Sequence, residues 1–216
     1  YGLGVGKEDV VSMVLPNLPM THIALWGAQA TGIVNPINPH LDDSSICEIM
    51  TEAKTKVLVT LAPEEGFDIW EKVQRIVTDV STLEAVLLID LQRLGDGRVN
   101  LEPLSSLGVP IISLHAALPR EDGTRLISGR KIQPTDVAAL FHTGGTTGTP
   151  KLAPHTHFSE CSNALAINVA TGFWRNPQTF LLGLPLFHVN AVIVSGLSLF
   201  LAGSQVVILG PKGFPA

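Results

Sequence analysis

Charge is scarce in this sequence: only 15% of the 216 residues are charged, and neither sign forms a long run. The 14 basic and 19 acidic residues leave a net charge of −5, so nucleic acid and anionic membranes are not expected as main partners. Hydrophobic residues make up 45% of the chain. This composition indicates a heavily buried α/β protein of one domain or two closely packed subdomains.

Cysteine is nearly absent. Only Cys47 and Cys161 occur, far apart in the sequence and among apolar, helix-like neighbours. This pattern predicts two buried free thiols rather than a disulfide, which is consistent with a reducing cytosol and a cytoplasmic location. No motif around either cysteine points to a catalytic thiol.

A long uninterrupted hydrophobic run is also missing. Residues 191–209 are strongly apolar, but serine, glycine and glutamine interrupt them. A buried helix followed by a strand is therefore expected, and no transmembrane segment. No signal peptide is visible, and the sequence that opens on Tyr1 reads as the interior of a longer protein.

Strand-like and helix-like apolar segments alternate along the chain. The expected strands cover residues 10–15, 33–38, 56–60, 85–89, 109–113, 136–140, 151–155, 179–184 and 205–209. The expected helices cover residues 20–32, 42–53, 69–80 and 159–172, the last capped by Ser159, and one more helix follows His188. The alternation predicts an α/β fold with mostly parallel sheets flanked by helices on both faces.

Two stretches lack this periodicity. Residues 91–108 are expected to form a surface loop or an insertion, and the polar, turn-rich residues 121–134 a linker. We therefore expect a first α/β subdomain over residues 1–130 and a second α/β portion over residues 131–216.

Residues 141–151, Phe-His-Thr-Gly-Gly-Thr-Thr-Gly-Thr-Pro-Lys, have the composition of a phosphate-binding loop. Glycine lets successive backbone N–H groups turn towards one anion, threonine adds hydroxyl donors, and Lys151 supplies a mobile positive charge. The common P-loop has glycine directly before its lysine and serine or threonine directly after, whereas Pro150 and Leu152 flank Lys151. Because proline favours an extended Thr149, Lys151 is expected to open a second strand rather than a helix. A glycine-rich hairpin without a ligand is the alternative.

This arrangement resembles the signature of the AMP-forming adenylating enzymes, the acyl-CoA synthetases, luciferases and adenylation domains. Their motif runs roughly Tyr-Thr-Ser-Gly-Thr-Thr-Gly-x-Pro-Lys-Gly. The matching positions are Thr143, Gly145, Thr146, Thr147, Gly148, Pro150 and Lys151. Gly144 replaces the usual serine and loses its hydroxyl, and Leu152 replaces a glycine with an expected effect on strand packing alone.

The resemblance implies a fold and a cofactor site. The chain would be part of the large N-terminal domain of an acyl-CoA synthetase-like fold, with ATP as cofactor. The residues implied in binding it are Thr143, Gly144, Gly145, Thr146, Thr147, Gly148 and Lys151.

Residues 184–189, Leu-Pro-Leu-Phe-His-Val, resemble the second core motif of the same family. In that family the histidine borders the pocket where the carboxylate meets the α-phosphate. This implies substrate binding by Phe187 and His188, and catalytic roles for His188 and Lys151. A structural histidine is the alternative. Adenylation domains for α-amino acids usually carry aspartate here, so His188 favours a plain carboxylic acid, with a fatty acid as the expected class.

The family's reaction joins a carboxylate to the α-phosphate of ATP, expels pyrophosphate and passes the acyl group to a thiol, most often coenzyme A. Preorganised loop donors and Lys151 would offset the charge that builds up on pyrophosphate. Mg²⁺ is expected as a further cofactor. No carboxylate pair in the sequence forms a convincing ligand set, so no metal ligand is assigned.

Several motifs of the family are missing from the sequence, among them the Tyr-Gly-x-Thr-Glu segment, the ribose-binding Thr-Gly-Asp and the adenylation lysine of the C-terminal domain. We therefore expect a fragment of an ATP-dependent carboxylic acid–CoA ligase that lacks the C-terminal part of its own chain and cannot complete adenylation alone. The alternatives are a luciferase-like or carrier-loading adenylating enzyme, and a non-catalytic module that only binds nucleotide or an acyl group. Pro150 and Leu152 disfavour a GTPase- or kinase-like protein.

Overall fold

The computed structural model describes residues 2–91, 108–118, 122–143 and 150–209, and most of its strands form one seven-stranded sheet. The strands are β1 (Val10–Val14), β2 (Ile33–Ile37), β3 (Thr55–Leu61), β4 (Ala85–Ile89), β5 (Ile111–Ser113), β6 (Val137–Thr143) and β7 (Lys151–Thr156). Their order is β5-β4-β3-β1-β2-β6-β7, and every neighbouring pair is parallel except β6 and β7. The prediction of a mostly parallel sheet is confirmed.

Helices cover both faces of this sheet. They are α1 (Pro19–Thr31), α2 (Asp43–Glu52), α3 (Ile69–Ile76), α4 (Leu114–Ala117) and α5 (His157–Thr171). The connections from β1 to β2 and from β2 to β3 run in opposite directions, and crossovers between parallel strands are right-handed. Helices α1 and α2 therefore lie on opposite faces, and α3 packs beside α2.

The turn between α1 and β2 depends on Gly32. A side chain at this position would place its Cβ 2.5 Å from the carbonyl oxygen of Asp9. The next residue, Ile33, donates its N–H to the same carbonyl at 2.9 Å. Glycine thus allows the helix to end in direct contact with the chain that enters β1.

Helix α5 begins two residues earlier than expected, so the prediction that Ser159 caps it was wrong. The cap is Thr156, whose Oγ1 accepts a hydrogen bond from the N–H of Ser159 at 3.1 Å. In return, the N–H of Thr156 donates to Oγ of Ser159 at 3.1 Å. Ser159 is therefore the reciprocal partner of the cap in a capping box. Because Thr156 and Ser159 both carry a hydroxyl, the sequence alone does not show which of them caps the helix.

A second, two-stranded parallel sheet follows, formed by β8 (Thr179–Leu182) and β9 (Gln205–Ile208). The chain between them contains α6 (Val189–Val192), a π-helical turn over Ile193–Leu197 and α7 (Ser198–Leu201). The expected helix and strand within residues 191–209 are thus confirmed. Among the described residues, no helix has both the length and the apolar character needed to cross a membrane.

Both cysteines are free thiols, as predicted, but the prediction that they are buried was wrong. Cys47 is half-buried and Cys161 is exposed. On α5 the neighbouring Glu160 and Ala164 occupy the buried side of the helix, so Cys161 lies on the solvent side. The apolar residues next to Cys161 in the sequence therefore do not indicate that Cys161 itself is buried.

The polar segment over residues 122–136 carries no helix or strand, as its composition predicts. It is held by Arg130, which donates to the Gly32 carbonyl at 3.4 Å and pairs with Asp136 at 3.1 Å. The division of the chain at residue 130 stays a prediction, and strands from both sides of it share the seven-stranded sheet. Residues 92–107 of the expected loop lie outside the described residues.

Candidate functional site

The antiparallel pair β6–β7 carries the two ends of the glycine- and threonine-rich loop. Thr143, the last residue of β6, pairs with Lys151, the first residue of β7, and its Oγ1 donates to the Lys151 carbonyl at 3.4 Å. Lys151 therefore opens a strand, as Pro150 predicts, and its side chain is exposed. The remaining predicted ATP ligands, Gly144, Gly145, Thr146, Thr147 and Gly148, lie outside the described residues.

Leu152 explains one departure from the family motif. Its side chain is half-buried and packs against a small apolar cluster of Val10, Ile33 and Ala53. A glycine there would leave this cluster less filled. The leucine thus contributes to the packing of β7 onto the sheet.

His142 directly precedes the loop and connects it to the turn after β2. Its Nε2 accepts a hydrogen bond from the backbone N–H of Asn38 at 3.2 Å. A ring nitrogen that accepts is unprotonated, so the neutral ring carries its proton on Nδ1. Burial lowers the pKa of His142, and the nearby His188 lowers it further, which favours this neutral form.

The same imidazole reaches the second predicted motif. The rings of His142 and Phe187 stack with their centroids 6.5 Å apart and their planes inclined by 23°. Phe187 is half-buried, and His188 beside it is exposed. The fold therefore brings the predicted substrate residues next to the strand that leads into the predicted phosphate loop.

Asn17 holds the second motif from its other side. Its Nδ2 donates to the carbonyl of Leu184 at 2.9 Å, and its Oδ1 accepts from the N–H of Leu186 at 2.8 Å. The His188 N–H closes a turn by donating to the Pro185 carbonyl at 2.9 Å. One amide side chain thus satisfies two backbone groups of the segment that presents Phe187 and His188.

His188 also begins helix α6. Its Nδ1 accepts a hydrogen bond from the N–H of Asn190 at 3.2 Å, as an N-cap side chain does. In the neutral ring the proton is then on Nε2, which can donate to an oxygen of a ligand. A structural capping contact and a ligand contact therefore use different nitrogens of one imidazole.

Sequence reasoning missed His142, Asn17 and Asn38. The two asparagines follow β1 and β2, whose carboxyl ends meet at one edge of the sheet. Ligands of open α/β sheets bind outside this edge, where the connections of neighbouring strands run in opposite directions. In the sequence, both asparagines stand next to a proline within three residues of the end of a strand, which is the pattern that could have indicated them.

Among the residues that the structure describes, no three His, Cys, Asp or Glu side chains gather to hold a metal ion. The described acidic residues are engaged elsewhere in several cases. Asp136 pairs with Arg130, Asp43 with Arg75, and Asp68 with Lys72.

The seven-stranded sheet is doubly wound, and the fold places Phe187 of the second predicted motif beside His142 at the end of β6, where ligands of open α/β sheets bind. The profile of the AMP-binding enzyme family matches residues 1–216, and the chain belongs to this family.

The relatives that resemble the chain are CoA ligases. The marinolic acid–CoA ligase of Pseudoalteromonas sp. is 36% identical over 221 residues, which cover 99% of this chain and 31% of that protein. A long-chain-fatty-acid–CoA ligase of Escherichia coli O6:H1 is 28% identical over 234 residues, which cover 99% and 40%. The fold matches that of ATP-bound MatB from Rhodopseudomonas palustris, with a TM-score of 0.74 at 21% identity, over 99% of this chain and 37% of that one. The chain thus spans well under half the length of these relatives.

Proposed function

We propose that this chain is the amino-terminal-side part of an ATP-dependent ligase that activates a carboxylic acid as an acyl-adenylate and transfers the acyl group to coenzyme A. The observation that carries the proposal is the contact between Phe187 and His142. It joins the segment expected to border the acid to the strand that leads into the loop expected to hold ATP.

In the proposed reaction, a carboxylate oxygen attacks the α-phosphorus, and the bond from that phosphorus to the oxygen bridging to the β-phosphate breaks. Pyrophosphate leaves, and in a second step the thiol sulfur attacks the acyl carbon, with AMP as the leaving group. Lys151 at the mouth of the β6–β7 hairpin supplies positive charge to the leaving pyrophosphate. Backbone N–H groups and hydroxyls between Thr143 and Gly148 hold its oxygens.

His188 is proposed to orient the acid. Its Nδ1 is occupied by Asn190, so Nε2–H is the group that can donate to the carboxylate or to the α-phosphate oxygen. His188 carries no negative charge that would pair with an ammonium group, which suits a plain carboxylic acid. Two relatives are named for marinolic acid and for long-chain fatty acids, which supports a fatty acid as the substrate class.

The proposal includes Mg²⁺ as a cofactor and the cytoplasm as the location. Mg²⁺ would neutralise part of the negative charge on the phosphates of ATP. It usually keeps several of its water ligands when it does so. No described residue is assigned as its ligand. The 216 residues alone are proposed not to complete adenylation.

Carboxylate-dependent ATP–pyrophosphate exchange by the complete product of the parent gene tests the function. With a pool of fatty and aromatic acids, wild-type protein should exchange, and Lys151→Ala should lower the rate on the order of 100-fold, as loss of a transition-state charge partner does. Lys131→Ala, another exposed lysine, is the matched control and should retain the rate. His188→Ala should mainly raise the KM for the acid.

Lys151→Ala should melt at the wild-type temperature, whereas His188→Ala also loses the cap of α6 and should melt slightly lower. No exchange with any acid from folded wild-type protein would favour a non-catalytic nucleotide- or acyl-binding module instead. Exchange without transfer to coenzyme A would favour a luciferase-like or carrier-loading enzyme.

A further inference from the structure

We propose that His142 is a positioning residue of the site: it fixes the Phe187–His188 segment against the entrance of the phosphate loop. This role rests on the proposed function and deepens it. The family motif has tyrosine at this position, and the histidine of this chain makes two contacts that no single motif reveals.

The first contact anchors His142 to a rigid turn. Asn38, whose N–H donates to Nε2 of His142, begins a turn in which its Oδ1 accepts from the N–H of His40 at 2.9 Å. The next residue, Pro39, has its carbonyl bonded to Nζ of Lys72 at 3.0 Å. Lys72 is buried in α3 and pairs with Asp68, so the donor that holds His142 is itself held by a helix.

The second contact transmits this position to the second motif. The imidazole stacks on Phe187, and Asn17 fixes the backbone of the same segment at Leu184 and Leu186. The segment is thus bound at two points: by a side chain that follows β1, and by a ring anchored to the turn that follows β2. These two contacts together determine the position of His188, the next residue.

The hydrogen bond from Asn38 needs the His142 ring in one protonation state. A protonated Nε2 would have no lone pair for the Asn38 N–H, and two like charges would face each other if His142 and His188 both carried protons. Burial and His188 both favour the neutral ring, in agreement with the hydrogen bond. The geometry and the electrostatics of the pair therefore select the same state.

Because His142 touches the acid-binding segment rather than the reacting atoms, its loss should affect the acid more than ATP. His142→Phe keeps a ring on Phe187 but removes the acceptor, and His142→Gln keeps an acceptor but removes the ring. In the complete parent protein, His142→Phe should raise the KM for the acid about fivefold, which is the size of one lost neutral hydrogen bond. His142→Ala should raise it further, His142→Gln should recover part of that loss, and the KM for ATP should stay within about twofold.

His155→Gln is the matched control. His155 is also half-buried, and its ring contacts Phe141 edge-on at 5.0 Å, but it lies on β7 away from Phe187. It should leave both KM values unchanged. Equal effects of the His142 variants on the two KM values, or no effect on either, would overturn the positioning role.

A second measurement does not depend on activity. In protein with ¹⁵N-labelled histidine, the His142 ring should show an unprotonated Nε2 and a protonated Nδ1 at pH 7, and Phe187→Leu should shift its resonances. If wild-type protein shows no exchange, the proposed function fails, and these spectra alone decide the position of His142. A ring protonated on Nε2, or resonances that ignore Phe187→Leu, would overturn the inference.

Discussion

At the scale of single residues, Glu160 is a buried carboxylate with unfavourable surroundings. It lies on α5 with 2% of its surface exposed. Nε2 of Gln29 on α1 donates to one of its carboxylate oxygens at 2.9 Å, and the other oxygen has no hydrogen-bond partner among the described residues. Burial raises the pKa of Glu160 to about 7, although the Gln29 hydrogen bond opposes this effect.

This raised pKa predicts a contribution of Glu160 to stability that falls as pH rises. The folded chain holds the Glu160 proton more tightly than the unfolded chain, whose ordinary pKa is 4.5. The contribution of Glu160 to the free energy of unfolding should therefore decrease as pH rises from about 4.5 to about 7 and stay at the lower level above that. Buried His22 contributes with the opposite sign between about pH 4 and pH 6.5, because burial lowers its pKa to about 4, so the Glu160 contribution is read from the difference between wild type and variant. Glu160→Gln should remove this decrease and be more stable at pH 8 by on the order of 3 kcal/mol, and equal to wild type at pH 4.

Urea unfolding of the chain between pH 4 and pH 8 measures this difference. Glu52→Gln, at an exposed position of α2, is the matched control and should leave the pH dependence intact. A Glu160→Gln variant whose difference in stability from wild type does not grow between pH 4 and pH 8 would show that Glu160 does not make this contribution.

Single residues also differ in whether their role in the candidate site can be predicted from the sequence. Local sequence patterns were enough to predict four site residues: Thr143, Lys151, Phe187 and His188. Asn17 matters because its amide meets a segment almost 170 positions further along, and nothing in its own neighbourhood encodes that meeting. Contacts of this kind depend on tertiary placement.

At the scale of elements, local chemistry predicted the hairpin better than the helix cap. Pro150 limits the chain before Lys151 to extended conformations, and β7 indeed begins there. By contrast, Thr156 and Ser159 both have hydroxyls that can cap α5, and their roles depend on which backbone N–H each one meets. Composition predicts that a helix begins in this region, while the geometry of the first turn decides where.

The backbone of the Leu184–His188 segment is held by the side chain of Asn17. Asn17→Ala removes the donor for the Leu184 carbonyl and the acceptor for the Leu186 N–H. We expect a loss of about 1–3 kcal/mol in stability, because both backbone groups lose their partner. Hydrogen–deuterium exchange should become faster at Leu186 and its neighbours, and remain unchanged in the central strands β1 and β3.

Asn163→Ala provides the comparison for this variant. Asn163 also donates its Nδ2 to a backbone carbonyl, that of Ser159 at 2.9 Å, but it lies on the exposed side of α5. It should leave the exchange at Leu186 unaltered. Uniformly faster exchange throughout the Asn17→Ala protein would indicate general destabilisation rather than release of one segment.

At the scale of the whole molecule, alternation along the sequence was enough to predict the parallel sheet and its two helical layers. It did not predict the strand order, in which β1 lies between β3 and β2 and the connection reverses direction. That order results from the right-handed crossovers and from the pairing of apolar faces between elements. Local sequence patterns predict neither of these. The site follows from the order, because it brings the ends of β1, β2 and β6 to one edge.

One face of α5 remains uncovered in this molecule. Phe158, Leu165 and Val169 lie on the same side of the helix, with exposed fractions of 65%, 59% and 63%. The two-stranded sheet β8–β9 also exposes Leu181 and Val207. Parallel sheets are normally buried on both faces, and contiguous apolar surface of this kind usually marks an interface. In the proposed longer ligase, we expect the remainder of the chain to cover α5.

The 216-residue chain alone should therefore self-associate through this face. Sedimentation velocity at micromolar concentrations should show species larger than a monomer, and Leu165→Glu with Val169→Glu should restore the monomer, because charge opposes burial of that side of the helix. Glutamate at Asn163 and Ala170, two other exposed positions of α5, adds the same charge away from the apolar side and should leave the association in place. A wild-type chain that remains monomeric would show that this face does not need a partner, whereas association that survives the change at Leu165 and Val169 would place the contact elsewhere.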